Sequence, residues 1–235
     1  DDEPPVNSTS PPTWSKPASV NEPRGTRGLN FLSLFHGPYD RLNGLPSKLK
    51  DRGWSWVIPI DNDVERGGGH NHDLLNDQRF TMILEQAKSG HFDTILVAFP
   101  CSTFSAARFY DASRGDPSKD RGPLPVRTHT HPDGLPDHLI QPGHKKELAD
   151  SNKLLKRSVD ICIAAYESPR KTTIIWENPI DRSDEASVAY SEDLKDHGSL
   201  FATTEFIRLR DTIGLNKCST CTFAACMRSW HRTAT

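Results

Sequence analysis

Four short apolar runs limit the kind of fold open to this chain. Gly28–Phe35 (GLNFLSLF), Trp54–Ile60 (WSWVIPI), Thr94–Phe99 (TILVAF) and Thr172–Trp176 (TTIIW) each have the length of a strand, and each stops on polar or turn residues. Segments of helical spacing follow or separate them. Asp40–Lys50 sets Leu42, Leu45 and Leu49 at helical intervals, with Pro46 expected to disturb its middle. Gln78–Lys88 aligns Phe80, Ile83, Leu84 and Ala87 on one face, and Glu147–Tyr166 offers Leu148, Leu155 and Val159 to a core. A further helix is expected over Leu200–Asp211 and a last strand over Thr220–Ala225. Strands alternating with helices predict an α/β chain with a Rossmann-like, doubly wound, mostly parallel sheet. The last two strand-like runs, TILVAF and TTIIW, are expected to be fully buried.

In open parallel sheets ligands bind outside the carboxyl ends of the strands. The polar punctuation of this sequence falls there: His36-Gly37-Pro38, Asp61-Asn62-Asp63, Pro100-Cys101 and Glu177-Asn178-Pro179 each follow a strand-like run. Gly37 would let backbone approach a ligand closely. Asp61 could accept hydrogen bonds from both hydroxyls of a ribose; an ordinary turn aspartate explains it equally well. Asp73, in HNHDLLND, could accept from an exocyclic amine or could cap the following helix. There is no GxGxxG, so a dinucleotide fingerprint is not supported.

Cys101 follows a buried strand directly, on a loop held by a rigid scaffold, which is where a reactive thiol has to be. Cys162 lies among Ile161, Ile163 and Ala164 and reads as an inert core thiol. Glu177 ends the fourth run and is expected to face the same cleft as Cys101. There it could hydrogen-bond a base edge or supply a proton.

Taken in order, LFHGPYDRLNGL, IDND, HDLLND, AFPCSTFS and WENP resemble the motif series of the DNA cytosine-5 methyltransferases. The resemblance covers residues 29 to about 180, and Pro-Cys followed by Ser-x-Phe-Ser is its specific element. It implies a methyltransferase sheet that binds S-adenosyl-L-methionine through Phe35, Gly37, Asp61, Asp73 and Pro100. It also implies catalysis by Cys101 and Glu177, with Asn178, Arg108 and Arg127 as contacts to the base or the DNA. GPLPVRTHTHPDGLP, SNKLL and the ending CTFAACMRSWHRTAT look like methyltransferase-like domains of mobile-element polyproteins.

The sequence also departs from the family. Ser33 stands where an aspartate is usual, Tyr39 and Asp40 where small residues are, and Pro179 where a valine is. Arg208 and Arg210 in FIRLR are the nearest substitute for a Gln-x-Arg-x-Arg motif, and no target-recognition domain follows. These departures motivate a second reading, a catalytically inactive binding module within a larger polyprotein. Cys218, Cys221, Cys226 and His231 have zinc-knuckle spacing, but the apolar TFAACM between them and the lack of turn glycines weigh against a metal, and none is assigned.

The 235 residues suffice for one main domain over 28–235. Residues 1–27, rich in Pro, Ser and Asn, are expected to form a disordered linker or tail. The proline-rich stretch 102–143 is expected to be a long loop, and the carboxyl-terminal part to be truncated. Five cysteines are too few and too uneven for a secreted disulfide framework, and no apolar run is long enough to span a membrane. An intracellular protein is expected, nuclear if eukaryotic. A net charge of -2 requires a local basic surface for DNA, or for RNA as the alternative nucleic acid. Lys145, Lys146, Lys153, Lys156 and Arg157 are the candidates, with a solvated helix face as the competing explanation.

Overall fold

A computed structural model describes residues 28–37, 44–64, 68–109, 123–187 and 189–215. The tail 1–27, the last strand expected over Thr220–Ala225 and the zinc-knuckle spacing Cys218–His231 lie outside the described residues, as do Tyr39 and Asp40.

The chain is α/β. Strands β1 (Leu29–Leu34), β2 (Trp54–Ile60), β3 (Thr94–Ala98) and β4 (Thr173–Glu177) form one parallel sheet in the order β2-β1-β3-β4, consistent with a Rossmann-like fold. β1 pairs with β2 on one side and β3 on the other, and its side chains from Asn30 to Leu34 are all buried. A central parallel strand is covered on both faces, which is why FLSL carries no solvent-facing alternation. β4 departs from expectation. It lies at a sheet edge with alternating exposure, and Ile175 is 46% exposed. The residues of TTIIW suit a buried strand and an edge strand equally, and only the strand order separates the two.

The helices are α1 (Leu45–Asp51), α2 (Asp77–Lys88), α3 (Pro142–Glu167) and α4 (Thr204–Ile213). Pro46 does not disturb the middle of α1. It sits in the first turn, where a fixed φ is helical already and no N–H is required. The same reason extends α3 five residues ahead of the expected start: Pro142 opens it, and the Pro-Gly pair that reads as loop is its first turn. Asp73 does not cap α2. Asn76 does, its side-chain oxygen accepting from Gln78 N at 2.9 Å and Arg79 N at 3.1 Å. Thr203 caps α4, which ends at Gly214 in the left-handed region, φ +67°. Among the described residues no helix is long and apolar enough to cross a membrane.

The described residues fall into two compact units, each made of two chain segments: Asp1–Ala98 with Ala164–Trp176, and Phe99–Ile163 with Glu177–Thr235. The first holds the sheet and buries Leu32, Leu34, Ile60, Ile83, Phe92 and Ile95. The second buries Phe104, Val126, Leu155, Ile161, Leu194 and Leu200.

Candidate functional site

Of the expected cofactor residues, Phe35, Gly37, Asp61 and Asp73 lie in the sheet unit and Pro100 in the second. β1 stops at Leu34, and Phe35 then adopts φ +59°, a left-handed conformation that a bulky aromatic residue rarely takes. Its N–H donates to Ile60 O at 2.6 Å, tying the end of β1 to the end of β2. Strain of this kind persists only where the surroundings enforce it, and it concentrates at functional loops. Gly37 follows at φ +74°, and a Cβ there would meet no other heavy atom within 4 Å.

Asp61 leaves β2 beside this turn. Its Oδ2 accepts from Gly37 N at 2.7 Å and its Oδ1 from Asp63 N at 3.0 Å. The structure therefore joins two residues that are 24 positions apart in sequence and that the motif series pairs. Gly68 closes the same loop from beneath, because a Cβ there would lie 1.6 Å from the Asp61 carbonyl oxygen. Ser33, where an aspartate was anticipated, is buried and shares a 2.9 Å hydrogen bond with His36 Nδ1. Asp73 turns to its own loop, its Oδ1 accepting from Leu75 N at 2.8 Å. A carboxylate has about four lone-pair positions, so these backbone contacts leave acceptor capacity on Asp61 and Asp73.

The expected catalytic residues lie in the second unit. Cys101 is exposed and caps a 3-10 turn, Ser102–Phe104, which Phe104 N closes by donating to Cys101 O at 2.9 Å. Cys162 is fully buried, and burial pushes its thiol far up, out of the reactive range. The contrast expected between the two thiols is present. Asn178, which follows Glu177, donates from Nδ2 to Phe99 O at 2.9 Å. That bond fastens the segment after β4 to the segment after β3, one residue before Pro100-Cys101. The other amide atom of Asn178, Oδ1, is buried without a partner among the described residues. Glu177 is exposed over its surface as a whole, yet desolvation still raises its carboxyl above the ordinary range. The local environment of the carboxyl governs its titration, so Glu177 retains a proton to higher pH than a solvated glutamate.

Replacing Glu177 with Gln should therefore raise the melting temperature at neutral pH, because a desolvated charge disappears. A raised folded-state value means the penalty is complete above that value and gone below the unfolded value of about 4.3. Melting curves of Glu177→Gln and wild type should converge as pH falls to about 4. A gap that widens on acidification would contradict the assignment.

Two residues expected to contact DNA are buried. Arg127 is only 1% exposed, and its guanidinium is spent on internal partners. It donates to Thr103 Oγ1 (3.1 Å), Pro132 O (2.8 Å), Ser151 Oγ (3.3 Å) and Asn152 Oδ1 (2.7 Å), and it stacks over the Phe104 ring at 4.1 Å. Burial lowers its pKa to about 10, so it stays charged at neutral pH. Arg108 is also buried, donating to Ser102 O and Leu124 O and pairing with Glu147. Neither presents a cation at the surface. Much of the expected basic helix face is likewise paired: Lys145 with Asp137, Lys146 with Asp150 and Lys156 with Asp160. Arg208 and Arg210, the substitutes for a missing motif, engage Asp160, Glu205 and Asp211.

His197 was not singled out by sequence. It is 1% exposed, and its Nε2 lies 2.8 Å from Phe104 O. Burial alone would raise the neighbouring Asp181, but hydrogen bonds from His197 and Ser183 outweigh it and hold that carboxyl down at about 2. No family model, curated protein or solved structure matches this chain.

Proposed function

We propose that this chain is a DNA cytosine-5 methyltransferase-like enzyme that transfers a methyl group from S-adenosyl-L-methionine to carbon 5 of cytosine. The observation that carries the reading is the pair of strand-end constellations. A strained Phe35-x-Gly37 turn is bonded to Asp61, and an exposed Cys101 sits where Asn178 ties together the segments following two neighbouring strands. Both follow the motif order of that family, and the β2-β1-β3-β4 order has its switch point between β1 and β3, where such sheets take ligands at their carboxyl ends. The doubly wound arrangement of a methyltransferase belongs to this proposal.

Fit to the cofactor rests on the open space beside Gly37 and on the spare acceptor capacity of Asp61 at the end of β2. Asp61 would take the ribose hydroxyls, Asp73 the adenine amine, and Phe35 would border the ligand. When bound, S-adenosyl-L-methionine supplies an electrophilic methyl group.

The thiolate of Cys101 adds to carbon 6 of cytosine, forming a carbon–sulfur bond and moving an electron pair to carbon 5. Glu177, whose carboxyl desolvation shifts toward the protonated form, would hydrogen-bond or protonate nitrogen 3 and relieve the charge that would otherwise build on the ring. Carbon 5 would then take the methyl group, with S-adenosylhomocysteine as the leaving group, and give its proton to water; the carbon–sulfur bond would break, Cys101 leaving as thiolate and any proton on nitrogen 3 returning to Glu177. The target base has to leave the duplex stack for this attack.

Calorimetry with S-adenosylhomocysteine tests the cofactor half of the reading. Asp61→Ala should weaken binding by about 1–3 kcal/mol, since it removes charged acceptors from the ligand and from Gly37 N. Equal heats for the two proteins would displace the ribose from Asp61. No heat from wild type would favour a binding module that has lost catalysis, a reading motivated by the changed cofactor loop at Ser33.

A further inference from the structure

The turn that carries Cys101 is gripped residue by residue from within its own unit. The Ser102 carbonyl accepts from Arg108 Nε. The Thr103 hydroxyl lies between Arg127 Nε at 3.1 Å and Ser151 Oγ at 2.9 Å. The Phe104 ring meets the Arg127 guanidinium on its face and Phe99 in an edge contact with centroids 6.0 Å apart. The Phe104 carbonyl accepts from His197 Nε2. A carbonyl oxygen has no proton to give, so Nε2 has to carry the hydrogen. Nδ1 on the other side of the ring lies 3.5 Å from Arg182 N and 3.9 Å from Asp181 Oδ1. His197 is itself fixed: Thr128 bridges to it, His129 N donates to Asp196 O at 3.0 Å, and Phe109 packs against the ring at 5.7 Å.

Ser102, Thr103 and Phe104 thus each have a buried partner, while Cys101 is left exposed. For a surface loop that is an unusual concentration of desolvated polar groups. Simple burial of Phe104 would need none of them, since a ring can be covered by aliphatic side chains at lower desolvation cost. Rigid support of a reacting group is what such contacts accomplish, because attack needs the nucleophile within a narrow range of distance and angle.

We infer that His197 is a positioning residue for Cys101, acting through the Phe104 carbonyl jointly with the Arg127 grip on Thr103. The inference deepens the methyltransferase reading, but its physical content, an immobilised Cys101 turn, is independent of what Cys101 attacks.

The test uses the full chain and three variants. His197→Phe removes the donor and keeps a ring. His197→Gln keeps an N–H donor at similar reach. Thr103→Val keeps the volume and removes the hydroxyl, a second route to the same turn if His197→Phe does not fold. Amide exchange in the peptide spanning Cys101–Ser105 is followed by mass spectrometry under conditions where each protein is folded by circular dichroism. Exchange at Phe104 N should accelerate about tenfold in His197→Phe and in Thr103→Val and stay near wild type in His197→Gln. Covalent capture by DNA in which 5-fluorocytosine replaces cytosine should slow about tenfold in the same two variants, with affinity for S-adenosylhomocysteine unchanged.

Unaltered exchange in His197→Phe, or loss in His197→Gln equal to that in His197→Phe, would overturn the positioning role. Wild type that captures no DNA while the exchange pattern holds would remove the methyltransferase reading and leave the positioning inference standing. Faster exchange with undiminished capture would show that the turn's order does not serve the thiol and would end the inference.

Discussion

Cys101→Ser is expected to abolish covalent capture of DNA containing 5-fluorocytosine, the largest effect on activity that any single substitution in this chain should produce. Cytosine has no nucleophilic carbon until a thiolate adds to the ring. Fluorine at carbon 5 then blocks the elimination that would release the enzyme. A serine hydroxyl is protonated at neutral pH and is a far weaker nucleophile, so loss should be complete on a denaturing gel. Cys162→Ala serves as the internal control. That thiol is fully buried and held protonated by burial, so capture should persist at the wild-type level. A shifted band that survives in Cys101→Ser would move the nucleophile elsewhere, and a band lost in Cys162→Ala at unchanged stability would assign the core thiol a role that its burial forbids.

Arg127→Met should produce the largest loss of stability, about 4 kcal/mol in denaturant unfolding. The sum has opposing parts. Two buried acceptors, on Thr103 and Ser151, and two partly buried ones, on Pro132 and Asn152, lose a charged donor, at roughly 1–3 kcal/mol each before relaxation, and the stack on Phe104 contributes about 1–2 kcal/mol. Against this, removing the guanidinium abolishes a desolvation penalty large enough to bring its pKa down to about 10. The lost bonds win because Pro132 O and Asn152 Oδ1 are left without the donor that met them, while Thr103 and Ser151 keep only their bond to each other. Arg127→Lys should recover little, since one ammonium cannot reproduce a planar fork that reaches Thr103, Pro132, Ser151 and Asn152 together. If Arg127→Met unfolds within about 1 kcal/mol of wild type, the cage is filled by water and its rigidity is not intrinsic.

The two arginines mark the limit of what the sequence discloses. Arg108 and Arg127 read as surface cations because arginine is rarely buried, and nothing local announces the exception. The partners of Arg127, Thr103, Ser151 and Asn152, lie 24, 24 and 25 positions away, on the turn after Cys101 and on α3. His197 is equally silent, one histidine in a polar stretch whose acceptor is 93 positions distant. The strands were legible because their information is local: β2 runs Trp54–Ile60 as expected, and β1 and β3 end one residue earlier than expected. Sheet order is not local, so the burial expected of TTIIW did not survive β4's place at the edge. The Gly37–Asp61 bond was not anticipated: motif order only named both as cofactor residues, and spacing alone left Asp61 an ordinary turn residue.

The division of the chain into interleaved segments bears on how this protein is made. The backbone passes between the two units at Ala98/Phe99, Ile163/Ala164 and Trp176/Glu177. On a ribosome the sheet unit lacks its fourth strand until Trp176 has emerged, and until then the outer flank of β3 is an open row of hydrogen-bonding groups on a growing polypeptide. Cutting the gene at any one point leaves at least one unit without a segment, so no single cut yields both units complete. Long sequence separation between paired strands slows folding, so that open flank persists while the chain is being made.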